Sequence, residues 1–120
     1  MGKILIVDDA KLMRNIIRTA LQENGNFKIV EAQNGKDAVA LYKKEKPDIV
    51  TMDITMEEKN GVDAAKEILE FDPEAKIIMV TSLGQEKLLQ ECVKAGVSDY
   101  IVKPFSKERI TSSVLNSLSA

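Results

Sequence analysis

Five short apolar runs alternate along the chain with five segments of helical spacing, and each run is bounded by polar or turn-forming residues. Runs this short and rich in β-branched residues are typical of buried strands. Their regular alternation with helices favours βαβ units with right-handed crossovers, hence an α/β fold with a parallel sheet and helices on both faces. The predicted strands are residues 4–7, 27–30, 49–52, 77–80 and 100–102.

The segments between the strands have the spacing of amphipathic helices. Over residues 11–23, two apolar series recur at intervals of four and predict one apolar face. The second helix is expected to begin at an Asn34 N-cap and to end before Pro47, and Gly96 is a natural stop for the fourth. The two series of the first helix are Leu12, Ile16 and Ala20, and Met13, Ile17 and Leu21; the fourth helix has Leu88, Leu89, Cys92 and Val93 on one side.

Length and composition limit the class of protein. With 120 residues and a net charge of −2, the chain has the size of one folded domain and no charge to draw it to nucleic acid or a membrane surface. Histidine is absent, which excludes Ser-His-Asp catalysis, His-ligated zinc and a phosphohistidine on this chain. The single cysteine allows no internal disulfide, and no apolar run approaches the roughly 20 residues of a membrane span. We therefore expect a cytoplasmic protein with no nucleic-acid partner and no membrane insertion.

Reactive side chains follow four of the five predicted strands, at the point where each strand ends. In an open α/β sheet these ends meet at one edge, where ligands bind. The second strand alone ends without such a group. We therefore expect three carboxylates, two hydroxyls and one ammonium group to gather there, from Asp8, Asp9, Asp53, Thr81, Ser82 and Lys103.

The charges at this edge predict a divalent metal ion. Two carboxylates about 4 Å apart repel by about 4 kcal/mol at an effective dielectric of about 20, so three of them stay ionised together only with a cation among them. An oxygen ligand set without His or Cys favours Mg²⁺ over Ca²⁺. The ion and Lys103 together balance the three negative charges. Such a site is able to accept a phosphoryl group, and carboxylates form acyl phosphates.

Each of these residues also has a purely structural explanation, and taken singly the residues leave both open. The first two carboxylates are suited to capping the helix that follows them, and the third to forming a turn. The two hydroxyls fit the polar start of the next helix, and the lysine fits a solvated surface. Their shared position at strand ends is what favours a site.

Four blocks of the sequence occur in an order and at a spacing typical of one family. They are Val-Asp-Asp at 7–9, Met-Asp-Ile-Thr-Met at 52–56 with Asn-Gly at 60–61, Val-Thr-Ser at 80–82 and Ile-Val-Lys-Pro-Phe at 101–105. On these blocks the chain resembles the receiver domain of two-component response regulators, over residues 3–118. Residues 49–56 and 83–85 resemble in particular the stand-alone regulators of chemotaxis. The resemblance implies a flavodoxin-like fold with strand order 2-1-3-4-5.

The resemblance assigns a role to each residue of the expected site. Asp53 would accept the phosphoryl group, Thr81 would donate a hydrogen bond to it and Lys103 would pair with it. Tyr100 would be an aromatic switch that moves inward as Thr81 is drawn to the phosphate; a strand aromatic that merely fills a groove is the alternative. The bond between Lys103 and Pro104 would be cis. The ligands of Mg²⁺ would be Asp9 directly, Asp8 directly or through water, Asp53, and the backbone carbonyl of Thr55.

The resemblance also implies partners. The phosphodonor would be a histidine kinase of the chemotaxis type, the output partner the flagellar motor switch, and a phosphatase would remove the phosphoryl group. The chain would be a monomeric signalling protein rather than an enzyme, with residues 1–120 forming a single receiver domain and no output domain. Leu83 and Gln85 would line the output face. Glu57 stands where the family usually has proline, which leaves the rigidity and metal affinity of that loop open.

Other functions remain as alternatives. A receiver of this kind could pass its phosphoryl group on in a phosphorelay, or regulate a partner other than the motor. A haloacid-dehalogenase-type phosphatase is disfavoured, since its second aspartate would stand where this chain has Thr55. A flavodoxin-like mononucleotide binder is disfavoured because Asp8 and Asp9 would repel a phosphate. A binding module with a vestigial site is disfavoured because every acidic, hydroxyl and lysine position is filled.

Overall fold

The computed structural model describes residues 2–56 and 59–120, and over these residues five strands alternate with five helices. The strands are β1 (Lys3–Val7), β2 (Lys28–Ala32), β3 (Ile49–Asp53), β4 (Ile77–Thr81) and β5 (Asp99–Val102), and the helices are α1 (Lys11–Gln22), α2 (Gly35–Glu45), α3 (Gly61–Phe71), α4 (Glu86–Ala95) and α5 (Lys107–Ser119). All neighbouring strands are parallel, and their order is β2-β1-β3-β4-β5. The predicted flavodoxin-like α/β fold is confirmed.

The sheet separates two apolar cores, because successive side chains of a strand point to opposite faces. Leu5 and Val7 of β1 join the core under α2, α3 and α4, whereas Ile4 and Ile6 join the core under α1 and α5. The strands β3 and β4 bury every side chain. Such two-sided burial is characteristic of a parallel sheet with helices on both faces.

Helix α1 turns a narrower face to the core than its apolar spacing predicted. Leu12 and Ile16 are 73% and 43% exposed, while Arg14 is buried on the same side as Ile17 and Leu21. The two apolar series of this helix lie side by side, and together they are wider than the strip that the sheet and α5 cover. The series with Ile17 and Leu21 therefore packs against the core, and most of the series with Leu12 and Ile16 is exposed to solvent.

Helix α4 is also less buried than its sequence predicted. Cys92 is fully buried and Leu89 packs partly against the same core, but Leu88 and Val93 are exposed. The helix contacts the sheet along a narrow strip near its edge. It ends as expected at Gly96, which adopts the left-handed conformation with φ of 110° that glycine tolerates best.

The helix starts near the candidate site are well defined. The Asn34 side chain accepts a hydrogen bond of 2.8 Å from the Asp37 main-chain N–H, which confirms the predicted N-cap of α2. Asn60 caps α3 in the same way, through the Asp63 N–H at 2.9 Å. The longest of the described helices has 13 residues, and none has the length and hydropathy needed to cross a membrane.

Candidate functional site

The strand register places the predicted site residues at one edge of the sheet. Between β1 and β3, the residues just before Asp8 and Asp53 lie opposite each other. Asp53 itself lies opposite the residue before Thr81, and Thr81 lies opposite the residue before Lys103. Four neighbouring strands therefore bring these side chains to a common edge, as the positions of the strand ends predicted.

The three carboxylates form a compact cluster with the lysine. One oxygen from each of Asp8, Asp9 and Asp53 lies within 4.8 Å of the others. Asp8 and Asp53 are 1% and 7% exposed, whereas Asp9 is exposed at the rim. The Lys103 ammonium nitrogen lies 3.4 Å from Asp53 Oδ1 and 3.5 Å from Asp8 Oδ2. The structure thus clusters the three acids and places the expected lysine against two of them, Asp8 and Asp53.

Burial changes the protonation of this cluster. Loss of hydration raises the pKa of Asp53 from 3.8 to about 6, and repulsion by the Asp8 carboxylate adds to the shift while Lys103 opposes it. The pKa of Asp8 is raised as well, mainly by burial, against the hydrogen bond from Ala10 and the charge of Lys103. Both acids would ionise more readily beside a further cation.

One carboxylate oxygen of the cluster has an unfilled bonding capacity. Asp8 Oδ2 is buried and accepts no hydrogen bond from the residues that the structure describes. Its charged neighbour is the Lys103 ammonium nitrogen at 3.5 Å, and because buried polar atoms without a hydrogen bond are rare in folded proteins, a metal ion would complete its interactions. Because the clustered donors are carboxylate oxygens only, they fit a hard cation such as Mg²⁺. The cluster is therefore suited to hold the metal that the sequence predicted.

The loop that carries the first two carboxylates is held from two sides. Asp8 Oδ1 accepts a hydrogen bond of 2.9 Å from the Ala10 N–H, so this oxygen supports the start of α1 while the other faces Lys103. Arg14 Nη1 donates to the Asp8 main-chain oxygen at 2.8 Å, and Arg14 Nε donates to Glu31 at 2.8 Å. The sequence interpretation missed this arginine, although it is a charged residue three positions before Ile17 on the buried stripe of α1.

Thr81 does not yet point its hydroxyl at the acidic cluster. Its Oγ1 donates to the Gln85 side-chain oxygen at 3.0 Å, and the Ser82 N–H donates to the same oxygen at 2.7 Å. The Gln85 nitrogen in turn donates to Thr55 Oγ1 at 2.5 Å. Leu83 and Gln85 were both expected on the output face, which stays a prediction. Leu83 is 87% exposed, whereas the Gln85 amide is bonded to Thr81 and Thr55.

The loop after β3 returns close to the end of that strand, next to Asp53. The Gly61 N–H donates to the Ile54 carbonyl at 2.7 Å, and a Cβ on Gly61 would lie 1.9 Å from the Asp53 carbonyl oxygen. Only glycine permits this approach. Thr55 is exposed in this loop, and its carbonyl stays a predicted metal ligand. Glu57, which departs from the family's proline, lies outside the described residues.

Strand β5 carries the aromatic residue Tyr100, and the segment directly after it carries the lysine. The Lys103 N–H donates to the Thr81 carbonyl at 2.7 Å, and the Lys103–Pro104 bond is cis, as the resemblance implied. Tyr100 is 43% exposed, and Arg109 Nη2 donates to its main-chain oxygen at 2.9 Å. Its ring is thus at the surface, on the strand that neighbours the one carrying Thr81.

Comparison with solved structures shows the same fold in other proteins. The receiver domain of NtrX from Brucella abortus is similar with a TM-score of 0.91 and 25% identity, over 98% of both chains. The response regulator domain of Thermotoga maritima CheB is similar with a TM-score of 0.82 and 31% identity, over 98% of this chain and 92% of that one.

Sequence comparison gives more similar relatives. The chain is 51% identical to the chemotaxis protein CheY of Thermotoga maritima, over 99% of both chains. It is 45% identical to the chemotaxis protein CheY of Bacillus subtilis over 98% of both. The profile of the response regulator receiver domain matches residues 4–115. With the parallel sheet and the acidic edge described above, these matches show that the chain belongs to the response regulator receiver domain family, as a CheY-like protein of two-component signalling.

Proposed function

We propose that this chain is a phosphorylation-activated signalling protein that accepts a phosphoryl group on Asp53 from a histidine kinase. The observation that carries the proposal is the position of the Asp53 carboxylate, buried beside Asp8 and Asp9 and 3.4 Å from the Lys103 ammonium group. A nucleophile for phosphoryl transfer needs positive charge around it and a fixed orientation more than it needs any other catalytic group. Here the strand end fixes the orientation of Asp53 and Lys103 supplies part of the positive charge, and a bound Mg²⁺ would supply the rest.

The reaction follows from the groups at the site. An ionised oxygen of Asp53 attacks the phosphorus of a phosphohistidine; the new O–P bond forms as the N–P bond breaks, and the imidazole nitrogen keeps the bonding electron pair. With a pKa of about 6, Asp53 is mostly ionised at neutral pH. Lys103 neutralises part of the negative charge, and the carboxylates of Asp8, Asp9 and Asp53 with the Thr55 carbonyl would hold Mg²⁺. The ion would supply further positive charge to the phosphoryl oxygens.

The output follows from what surrounds the switch threonine. Phosphorylation adds about −1.5 to −2 charges and new hydrogen-bond acceptors, which attract Lys103 and the Thr81 hydroxyl. Large apolar side chains lie exposed around this region, on the loop after β4, on α4 and on β5: Leu83, Leu88, Val93, Tyr100 and Val102. They are suited to contact a protein partner, and movement of Thr81 and Tyr100 would alter that surface. For a CheY-like chain we propose the flagellar motor switch as this partner, a chemotaxis-type kinase as donor and residues 1–120 as one monomeric receiver unit in the cytoplasm.

Phosphorylation is tested with a small-molecule donor. Incubation with acetyl phosphate and Mg²⁺, followed by intact mass spectrometry, is expected to add one phosphoryl group to the wild type. Asp53→Asn and samples with a chelator are expected to add none. Asp63→Asn, which removes an exposed acid of α3 outside the cluster, is the matched control and is expected to react like the wild type. A phosphorylated Asp53→Asn protein would show that another residue is the acceptor.

The output partner is tested by binding. A purified motor-switch protein is expected to capture the chain after treatment with acetyl phosphate and Mg²⁺, and to capture much less of it without the donor. Equal capture in both conditions would contradict a switch. Rapid transfer of the phosphoryl group to a histidine-containing phosphotransfer protein, with no gain in motor binding, would identify a phosphorelay intermediate instead.

A further inference from the structure

The loops after β3 and β4 are joined by one side chain that the proposed reaction does not use. The Gln85 oxygen accepts hydrogen bonds from the Thr81 hydroxyl at 3.0 Å and from the Ser82 N–H at 2.7 Å. The Gln85 nitrogen donates to the Thr55 hydroxyl at 2.5 Å. We propose that these three bonds, the Gln85 latch, hold the Thr81 hydroxyl in its resting orientation and oppose phosphorylation. The inference rests on the proposed function and names a positioning residue for it.

The orientation of the Gln85 amide is fixed by its partners. An amide has one acceptor and one donor end, and both ends are occupied here. The Ser82 main-chain N–H can only donate, so the oxygen end of the amide must face it. The nitrogen end then faces Thr55, whose hydroxyl oxygen is able to accept. The Thr81 hydroxyl therefore faces the oxygen end of the Gln85 amide and donates its proton to that hydrogen bond.

This arrangement competes with a phosphoryl group. A threonine hydroxyl has a single proton, so it cannot donate to Gln85 and to a phosphoryl oxygen on Asp53 together. Its other contact in the resting state is long, 3.4 Å to the Ser82 carbonyl, so Gln85 is its principal acceptor. The bond to Gln85 must break before Thr81 reaches the phosphoryl group. The latch thus stabilises the resting state and is absent from the activated one.

The latch also connects the switch to the predicted metal loop. Thr55 contributes its side chain to Gln85 and, by family resemblance, its carbonyl to the metal. A movement of Thr55 on metal binding or phosphorylation would withdraw the partner of the Gln85 nitrogen and free the amide to turn. Loss of the Thr55 hydroxyl alone should therefore weaken the latch without removing its acceptor for Thr81.

The test uses beryllofluoride, a phosphoryl mimic, titrated into the full chain with Mg²⁺ and followed by NMR. Loss of one net hydrogen bond from the resting state corresponds to about a fivefold change in an equilibrium. Gln85→Ala is therefore expected to bind beryllofluoride about fivefold more tightly than the wild type. Gln90→Ala makes the same change at an exposed position of α4 and is expected to bind like the wild type.

The Thr55 arm separates positioning from a general loosening of the loop. Thr55→Val is expected to tighten binding in the same direction but less, and to add little to Gln85→Ala in the double variant, because both changes disable one latch. Thr55→Ser keeps the hydroxyl and is expected to bind beryllofluoride with the affinity of the wild type. Unchanged or weaker binding by Gln85→Ala, or full additivity of the two changes, would overturn the latch.

A readout in the unphosphorylated protein keeps this inference distinct from the proposed function. The Ser82 amide resonance is expected to shift in Gln85→Ala and to stay in place in Thr55→Ser, because that N–H donates to Gln85. If the wild type and all variants fail to bind beryllofluoride while the Ser82 shift is seen, the proposed function fails. If the wild type binds and Gln85→Ala binds no better, the latch alone fails.

Discussion

The Asp53 carbonyl oxygen occupies the space that a side chain on Gly61 would need, since a Cβ there would lie 1.9 Å from it. The two residues are eight positions apart, at the end of β3 and the start of α3. Their contact brings the first turn of the helix against the strand that carries Asp53. Backbone geometry at this point, not only the acidic side chains, therefore sets the position of the Asp53 carboxylate.

Substitution of Gly61 is expected to damage both stability and phosphorylation. In Gly61→Ala the Cβ meets backbone, so α3 or the end of β3 must move, at a cost of about 3 kcal/mol. Urea unfolding followed by circular dichroism measures this loss, and acetyl phosphate labelling measures the effect on Asp53. Gly96→Asn is the control, because a side chain there has open space around it and meets only the backbone strain of a φ of 110°, which asparagine bears better than most residues. Equal losses in the two variants would contradict the steric argument.

The stability of the protein in chelator is expected to fall with rising pH because of Asp53. Its pKa is about 6 in the folded chain against 3.8 for an unperturbed aspartate, so the unfolded state loses its proton first as pH rises. The penalty grows from about pH 4 to about pH 6 and is complete above that, at up to about 3 kcal/mol. Asp53→Asn removes the group and should be more stable at pH 7, with the difference vanishing near pH 4.

The measurement for this pH dependence is urea unfolding of both proteins between pH 4 and pH 8 in the presence of a chelator. Asp63→Asn, at an exposed site outside the cluster, is the control for the loss of one carboxylate. Addition of Mg²⁺ should stabilise the wild type by about 2.7 kcal/mol at one hundred times the dissociation constant, and Asp53→Asn by less. If the stability difference between the wild type and Asp53→Asn is constant from pH 4 to pH 8, ionisation of Asp53 is not the cause of the pH dependence.

Removal of the Lys103 charge is expected to strengthen metal binding and weaken the phosphorylated state. The ammonium group lies within 3.5 Å of Asp8 and Asp53, where it competes with a divalent cation for the same oxygens. In Lys103→Ala the affinity for Mg²⁺ should rise by about tenfold, since nearby charges at the surface interact by about 1 to 4 kcal/mol. Isothermal titration calorimetry measures this change. Lys107→Ala removes an exposed lysine paired with Glu23 and should leave the affinity as it is; weaker binding by Lys103→Ala would contradict the competition.

Arg14 is expected to support the metal loop from beneath. In Arg14→Leu the Asp8 carbonyl loses its donor and Glu31 loses one partner, at a cost of about 2 to 4 kcal/mol and with weaker Mg²⁺ binding. Arg18→Ala removes the second, more exposed partner of Glu31 and should cost less than about 1 kcal/mol. Chemical denaturation and calorimetry of the two variants test the contrast. Similar losses of stability and Mg²⁺ affinity in the two variants would show that the Arg14 hydrogen bond to Asp8 contributes little to either.

The sequence identified the α/β class because strand-like and helix-like spacing occupy separate stretches of the chain, and the resemblance to the receiver family added the strand order. Short β-branched runs and longer helical spacings predicted ten elements in the correct order, and the strand ends then located the acids, the threonine and the lysine. The boundaries differed by one or two residues, as at β2, which continues to Ala32. The end of a strand depends on strand pairing, because a residue belongs to the strand as long as its backbone is hydrogen-bonded to the adjacent strand.

The apolar pattern alone determined that α1 is amphipathic, but not which residues face the sheet. Contrary to what hydropathy predicted, Leu12 is exposed and Arg14 is buried. The buried Arg14 guanidinium is stabilised by hydrogen bonds to the Asp8 carbonyl and to Glu31. Gln85 is a similar case. Its neighbours in the sequence do not predict the orientation of its side-chain amide, which hydrogen bonds to Thr55 and Thr81 fix in the folded chain. The sequence by itself determined the elements and the chemistry at their ends, because these depend on local spacing. The tertiary structure decided the partners of the polar side chains and the burial that raises the pKa of Asp53, because both depend on distant segments that meet only in the folded chain.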